Sequence, residues 1–398
     1  MQLNVLIADK LSSKTVSDLE VMGARVRVEP DLSADDLPAA IGDAEVLVVR
    51  STRVTEATIE AAPNLALVIR AGAGVNTIDM DAASRRGIAV ANCPGKNTAA
   101  VAELTIGLLI AADRRIAAAT ADLLGGRWRK KEYQRAHGLR GRTLAVIGFG
   151  AIGQAVAARA RGLGMHIRAW SRSLTHERAD EMEVEYAATP HDAVRGADAV
   201  TVHLAVTPET TGFVNAEFFG AMSPGAIFVN TSRGEIVEEA ALRNAIAERG
   251  IRACADVYQD EPGGGDALFE RTDLIAQLAA ATPHIGASTD EASEAIACEV
   301  VRIARSYVET GKPTNAVNLR ARSEEDVSLV VRHYNHVGVL AGVLDELRNS
   351  GINVEEMENT IFSGGTTASC TLKLDTAPDE ESLQRIRTGE YVIQVALK

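Results

Sequence analysis

Short apolar runs alternate with segments of helical spacing from the first residues onward. The runs at residues 3–8, 26–29, 45–49, 67–70 and 88–91 have strand character, while 13–22 and 55–61 space their apolar side chains three and four residues apart. Strands separated by single helices predict right-handed crossovers and a parallel sheet. An Ala/Leu-rich segment, 98–119, predicts a long helix with Thr98 as its cap. The alternation then resumes, with strands expected at 143–147, 165–170, 199–203, 226–230, 253–257 and 274–278. Two successive βα arrays predict two lobes with a cleft between them. A helix at 289–310 leads into a linker, 311–315. Beyond it the order becomes strand 327–332, helix 337–350, strands 353–362 and 368–374, helix 379–388 and strand 391–397. The fold class expected is therefore α/β, two doubly wound parallel-sheet lobes, plus a C-terminal α+β βαββαβ domain.

Composition narrows the partners. A formal charge of −13 argues against nucleic acid and anionic membranes as partners. No window holds the ~18–20 apolar residues of a membrane span, and the amino terminus lacks the basic flank of a signal peptide. Cys93, Cys254, Cys298 and Cys370 are scattered, with neither metal-ligand spacing nor a disulfide pattern. The expectation is a cytoplasmic protein without a metal.

The first chemistry lies at the start of the second array. Leu144-Ala-Val-Ile147 enters the turn Gly148-Phe149-Gly150-Ala151-Ile152-Gly153, and a helical pattern leaves it. In this Rossmann-like context the first glycine permits the turn and the second lets backbone approach a pyrophosphate. The third permits close helix packing, and the helix N-terminus offers free N–H groups. The acid expected at the end of the next strand is replaced by Ser171-Arg172. A carboxylate there would hold the adenosine ribose and repel a 2′-phosphate; serine and arginine do the reverse, so both NAD(H) and NADP(H) stay open.

Three further segments fall at the ends of expected strands: Asn230-Thr-Ser-Arg233-Gly234, Asp256-Val-Tyr-Gln-Asp-Glu261-Pro262 and Thr282-Pro-His284-Ile-Gly-Ala-Ser-Thr289. Hydride transfer to a 2-keto acid needs a proton donor for the oxygen, and a histidine can supply it and take it back. A carboxylate fixes the histidine tautomer, and an arginine grips the acid in bidentate fashion. Arg233, Glu261 and His284 supply that combination.

Together with Val48-Val-Arg50-Ser51, Arg70-Ala-Gly72-Ala-Gly74-Val75, Ala102-Glu103-Leu104 and Pro283-His284-Ile-Gly286-Ala-Ser288, these motifs resemble the D-2-hydroxyacid dehydrogenase family over nearly all of residues 1–318. The resemblance implies that Arg233 binds the substrate carboxylate and C2 oxygen, that His284 is the general acid/base, and that Glu261 is its partner. Asp256 would hold the nicotinamide carboxamide. The cofactor set implied is Gly148, Gly150, Ala151, Ile152, Gly153, Ser171, Arg172, Leu204, Thr231, Ser232, Arg233, Asp256, His284, Gly286 and Ala287. Backbone N–H groups of Gly72, Ala73, Gly74 and Val75 would take the substrate carboxylate, with Arg50, Ser51 and Arg70 beside them. The basic run Arg127-Trp-Arg129-Lys130-Lys131 matches a region that handles substrate phosphate in some members. The family also implies that residues 1–96 and 284–318 form a substrate-binding lobe around a dinucleotide-binding domain, 97–283. A homodimer or homotetramer, joined through that domain, is expected.

Residues 325–398 resemble an ACT domain, a small regulatory module, through Val331-Arg-His333-Tyr-Asn335-His-Val-Gly338 and Gly351-Ile-Asn353. In ACT modules that hold L-serine the ligands are a His, an Asn two residues on and an Asn after the first helix, matched by His333, Asn335 and Asn353. The basic cleft and this module favour oxidation of a small phosphorylated 2-hydroxy acid on the route to L-serine, with serine as an allosteric ligand. Ser171-Arg172 keeps open a glyoxylate or hydroxypyruvate reductase using NADPH. A dinucleotide-sensing, corepressor-like binding protein is the third reading, and the intact Arg233, Glu261 and His284 argue against it.

Overall fold

The computed structural model describes residues 3–262, 267–320 and 327–398. The expected domain limits at residues 1 and 325 lie outside these. The chain forms two compact units, Met1–Leu319 and Arg320–Lys398.

In the first unit, strands β1 (Asn4–Ile7), β2 (Arg25–Val28), β3 (Val46–Val49), β4 (Leu67–Arg70) and β5 (Ala89–Asn92) form a parallel sheet of order β2-β1-β3-β4-β5. A second parallel sheet contains β6 (Thr143–Ile147), β7 (His166–Trp170), β8 (Glu185–Tyr186), β9 (Ala199–Val202), β10 (Ile227–Asn230), β11 (Arg252–Ala255) and β12 (Ala280–Ala281), ordered β12-β11-β10-β9-β6-β7-β8. Every residue of β3, β9 and β10 is buried, as parallel strands covered on both faces must be. Each sheet has an apolar cluster on either face. The chain crosses between the sheets twice. Helix Thr98–Arg114 packs Ala102, Leu108 and Ala112 against the second sheet, and helix Asp290–Thr310 returns Ile296, Val300 and Ile303 to the first.

Four expectations need correction. The strand expected at 274–278 is a helix, Thr272–Ile275, followed by β12. Leu274, Ile275 and Leu278 all face one core cluster, a helical spacing mistaken for an apolar strand. The long helix at 98–119 breaks at Arg115, which adopts a left-handed φ of 54° before a second helix, Ile116–Leu124. Arg115 is held there by Glu132 at 2.8 Å and lies over the Tyr133 ring. Thr98 is the first helical residue rather than the cap; Asn97 occupies that position without a side-chain bond. The linker around 311–315 is docked, with Ala91 and Ala316 forming an antiparallel bridge and Val317 N–H donating to Val90.

The second unit is an antiparallel sheet of order β14-β15-β13-β16, built from β13 (Val327–Tyr334), β14 (Val354–Ile361), β15 (Thr367–Leu374) and β16 (Val392–Leu397). Helices Val339–Asn349 and Glu380–Arg387 cover one face, burying Leu329, Val331, Val343, Leu372 and Leu383.

Candidate active site

The glycine turn follows β6, whose neighbours β9 and β7 connect in opposite directions, so it opens at the switch point of the second sheet. Gly148 has φ +92°, and a Cβ there would stand 2.3 Å from the His203 carbonyl oxygen and 3.0 Å from Leu204 Cδ2. A Cβ at Gly153 would stand 2.1 Å from Gly148 O, so the first and third glycines are required by the protein's own packing. A Cβ at Gly150 would meet no protein atom within 4 Å, so packing gives no reason for glycine there. Gly150 caps helix Ala151–Gly162 with no side-chain bond, leaving the N–H groups of Ala151, Ile152 and Gly153 for an anion. This cradle fits a dinucleotide pyrophosphate. Ser171 and Arg172 follow β7, bordering the turn through the bond from Gly148 N–H to the Trp170 carbonyl.

Beyond β10, Asn230 stitches the next turn. Its Oδ1 accepts from Ser232 N–H and Oγ at 3.0 and 2.8 Å, and its Nδ2 donates to the Arg233 carbonyl at 2.9 Å. Thr231 is buried and its hydroxyl lies 2.8 Å from that of Thr105. Beyond β11, Tyr258 N–H donates to Glu261 Oε1 at 2.7 Å, and Glu261 Oε2 lies 2.5 Å from His284 Nδ1. Burial opposes ionisation of Glu261, but the bonds from His284 and Tyr258 outweigh it and hold the carboxyl below its ordinary range. His284 stands in the left-handed region at φ 52°. Asp256 fixes it there: Asp256 O accepts from His284 N–H at 2.7 Å, and its carboxylate takes Thr282 Oγ1, Ile285 N–H and Gly286 N–H at 2.6, 2.8 and 2.9 Å. Burial raises the Asp256 pKa against those bonds. Ala287 continues the same loop, half-buried.

The first sheet contributes cations. The Arg70 guanidinium overlies Gly72, where an added Cβ would fall 1.6 Å from its Nη1, and Arg233 overlies Gly74, where a Cβ would fall 2.4 Å from its Nη2. Arg70 and Arg233, from different sheets, therefore meet over the segment Gly72-Ala73-Gly74-Val75. Burial, then the neighbouring charges of Arg233 and Arg50, push the Arg70 guanidinium down to about 10. Arg70 Nε is enclosed without a hydrogen-bond partner among the described residues. Arg50, Arg70 and Arg233 form no ion pair with a carboxylate among those residues. The turn at Arg50, Ser51 and Thr52 is set by Asp9, whose Oδ2 accepts all three backbone N–H groups at 2.7, 3.1 and 3.1 Å. Those N–H groups are thereby committed, and any ligand there meets side chains.

Sequence reasoning missed Asp9, the turn-holding role of Asn230, and Thr105. An Asn or Asp at a strand end carries a turn signal that could have marked the first two; nothing local marks Thr105. In the basic run, Arg127 and Arg129 turn onto Asp122 at 2.7 and 3.2 Å. In the C-terminal unit His333 is buried, with Nδ1 2.7 Å from Tyr334 O and Nε2 3.2 Å from Asn359 Oδ1. Asn335 Nδ2 donates to Gly365 O at 2.9 Å. Asn353 lies at the other end of the sheet, where β14 pairs with Leu374 and β13 begins at Val327, about 20 Å of strand from His333. One module therefore does not gather all three residues.

A family model described as "D-isomer specific 2-hydroxyacid dehydrogenase, NAD binding domain" matches residues 106–286. A D-3-phosphoglycerate dehydrogenase of Methanocaldococcus jannaschii is 36% identical over 91% of this chain and 68% of its own length. The Mycobacterium tuberculosis protein of the same name is 38% identical over 86% of this chain and 64% of its own length. The chain thus spans about two thirds of the curated relatives it matches. A solved structure of NAD⁺-bound 3-phosphoglycerate dehydrogenase from Entamoeba histolytica superposes with a TM-score of 0.67 at 25% identity, covering 81% of this chain and all of that one. With these matches, the chain belongs to the D-isomer specific 2-hydroxyacid dehydrogenase family of nicotinamide-dependent oxidoreductases.

Proposed function

We propose that the chain oxidises D-3-phosphoglycerate to 3-phosphohydroxypyruvate, the first step of a route to L-serine. The observation that carries this is the meeting of the Glu261–His284 pair with three guanidinium groups, Arg50, Arg70 and Arg233, that have no carboxylate partner among the described residues. A substrate with a carboxylate and a phosphate supplies the missing negative charge. The Gly72 N–H is committed to the Arg70 carbonyl at 2.8 Å, so Arg233 and the N–H groups of residues 73–75 hold the carboxylate and C2 oxygen; Arg70 and Arg50 hold the phosphate end, helped by the Ser51 hydroxyl.

The glycine turn 148–153 would hold NAD(P), whose chemistry there would be to accept a hydride from C2. His284 Nε2 accepts the hydroxyl proton, because Nδ1 is committed to Glu261. Glu261 stabilises the imidazolium that results, and Arg233 polarises the oxygen as it becomes a carbonyl. Asp256, engaged by the 282–286 loop, positions His284 and would hold the carboxamide of a bound nicotinamide.

NAD(H) is the cofactor favoured by the relatives, while Ser171-Arg172 supports use of NADP(H). That pair is also the one observation favouring a glyoxylate or hydroxypyruvate reductase. Initial rates with 3-phosphoglycerate and NAD⁺ against glyoxylate and NADPH decide between them: a higher kcat/KM for the second pair refutes the first. Turnover that disappears in His284→Ala excludes a purely sensing protein.

For the C-terminal module we infer an ACT-type role with L-serine as ligand. A site using His333, Asn335 and Asn353 takes Asn353 from a second copy, because one module holds them apart. Ile116, Leu123, Leu124 and Trp128, all exposed, support a homodimer through the dinucleotide-binding lobe. The four cysteines are free thiols, which supports a reducing, cytoplasmic setting. No helix among the described residues is long and apolar enough to cross a membrane.

A further inference from the structure

Two hydrogen bonds grip the segment Gly72–Val75 from behind. Asn92 Nδ2 donates to Ala73 O at 2.5 Å, and Cys93 N–H donates to Gly72 O at 2.9 Å. Both donors lie where β5 ends and the chain leaves the first sheet toward helix Thr98–Arg114. A carbonyl and the following N–H belong to one planar trans peptide and point in opposite directions. Drawing the Ala73 carbonyl toward Asn92 therefore aims the Gly74 N–H away from it, and the Cys93 bond does the same for the Ala73 N–H.

Asn92 is itself fixed. Its N–H donates to Asn315 O and its carbonyl accepts from Asn315 Nδ2, both at 3.3 Å. Asn315 holds a left-handed φ of 59°, and its Nδ2 also reaches Glu299 Oε1 at 2.6 Å. Glu299 is 5% exposed and takes Arg302 from its own helix and Lys96 Nζ at 3.2 Å from the crossing segment. An unbroken line of polar contacts thus runs from helix Asp290–Thr310 through Asn315 and Asn92 to the glycine segment.

We propose that Asn92 is a positioning residue that sets the direction of the Ala73 and Gly74 N–H groups, with Asn315 and Glu299 holding it in place. The inference rests on the reading that those N–H groups take the substrate carboxylate. Neither Asn92 nor Asn315 touches the glycine turn at 148–153, so their effect falls on the acid and spares the dinucleotide.

Asn92→Asp keeps the shape and removes the donor; Asn92→Ala removes the side chain; Asn315→Ala loosens Asn92 from outside. KM for 3-phosphoglycerate, inhibition by oxalate, Kd for NADH by fluorescence and the melting temperature are measured for each. For the Asn92 variants we expect KM and the oxalate constant to rise together by about tenfold, or about 1.4 kcal/mol, with Kd for NADH within about twofold of wild type. Asn315→Ala, which carries the test if an Asn92 variant does not fold, shifts the same two constants by a smaller factor. Unchanged KM and oxalate inhibition in folded variants overturn the inference while leaving the carboxylate reading intact, as does NADH binding weakened by the same factor as KM. A wild-type enzyme that shows neither turnover nor oxalate binding refutes both together.

Discussion

Gly234 is where the turn presenting Arg233 touches the strand end that leads to Glu261. A Cβ there would stand 2.1 Å from the Tyr258 carbonyl carbon, 2.2 Å from its oxygen and 2.4 Å from Gln259 N. All three are backbone atoms, so no side chain can swing aside. Ordinary van der Waals contact begins at 3.4 Å, and Gly234→Ala must part the two segments by about 1.3 Å. The ladder between β10 and β11, which pairs Asn230 with Ala255, resists that parting from just behind. Overpacking of this kind costs about 1–3 kcal/mol, partly offset by about 0.4–1 kcal/mol from a less flexible unfolded chain. The expected result is a melting temperature lower by a few degrees. Activity suffers more, because Arg233 and the Glu261–His284 pair lose register, and an error of about 1 Å can lower kcat/KM about 10²-fold. Gly162→Ala is the control: Gly162 ends helix Ala151–Gly162, and its added Cβ meets nothing within 4 Å. Initial rates and thermal melts of the two variants settle the matter. A folded Gly234→Ala enzyme with wild-type kcat/KM refutes the account of how these loops are registered.

Removing the imidazole in His284→Asn is expected to lower kcat by about 10²–10⁴-fold with little change in KM, and Glu261→Gln by less, both read from steady-state rates. Arg50→Ala should raise KM for 3-phosphoglycerate while barely altering that for an unphosphorylated 2-hydroxy acid; equal losses on both remove Arg50 from the phosphate site. Glu299 has its carboxyl held down to about 2 against an ordinary 4.5, chiefly by Arg302, with Lys96 and Asn315 adding to it. A depressed folded pKa stabilises fully above the unfolded value and loses that stability as pH falls toward the folded one. The advantage of wild type over Glu299→Gln should therefore be about 2–3 kcal/mol near neutrality and shrink between about pH 4.5 and 2 in urea melts; a difference independent of pH contradicts it. Ser171→Asp should shift preference toward NAD⁺ by raising KM for NADP⁺, and an unchanged ratio of kcat/KM values shows that this position does not read the 2′-phosphate.

Much of this was legible in the sequence because parallel strands covered on both faces leave unbroken apolar runs. Val46–Val49 and Leu144–Ile147 need no context to be seen as strands. The glycine turn was equally plain, since Gly148 and Gly153 answer to steric demands that any Cβ would violate. Legibility failed where tertiary contacts decided the backbone. The helix break at Arg115 depends on Glu132 and Tyr133, which a window around residue 115 does not contain. The helix at 272–275 was hidden because a short apolar run reads alike in either period. Within the site, the reacting side chains stood out by type and order, whereas the groups that hold them did not. Asp9 acts on residues more than forty positions away, and Asn92 reaches back nineteen; only folding reveals such partners.

The cluster of Arg50, Arg70 and Arg233 has a further consequence for the protein without substrate. Three like charges held close together, one of them partly desolvated, make the cleft a place where folding stores repulsion. An anion that enters it then behaves as a missing piece of the fold, since it binds the native chain and not the unfolded one. Mass action requires the native state to gain about 2.7 kcal/mol at an anion concentration one hundred times Kd. Oxalate or inorganic phosphate should raise the melting temperature in proportion to the logarithm of its concentration, and Arg70→Ala should both start from a less strained cleft and respond less. The tolerance of this enzyme to heat is, on that view, partly a record of the small acids dissolved around it.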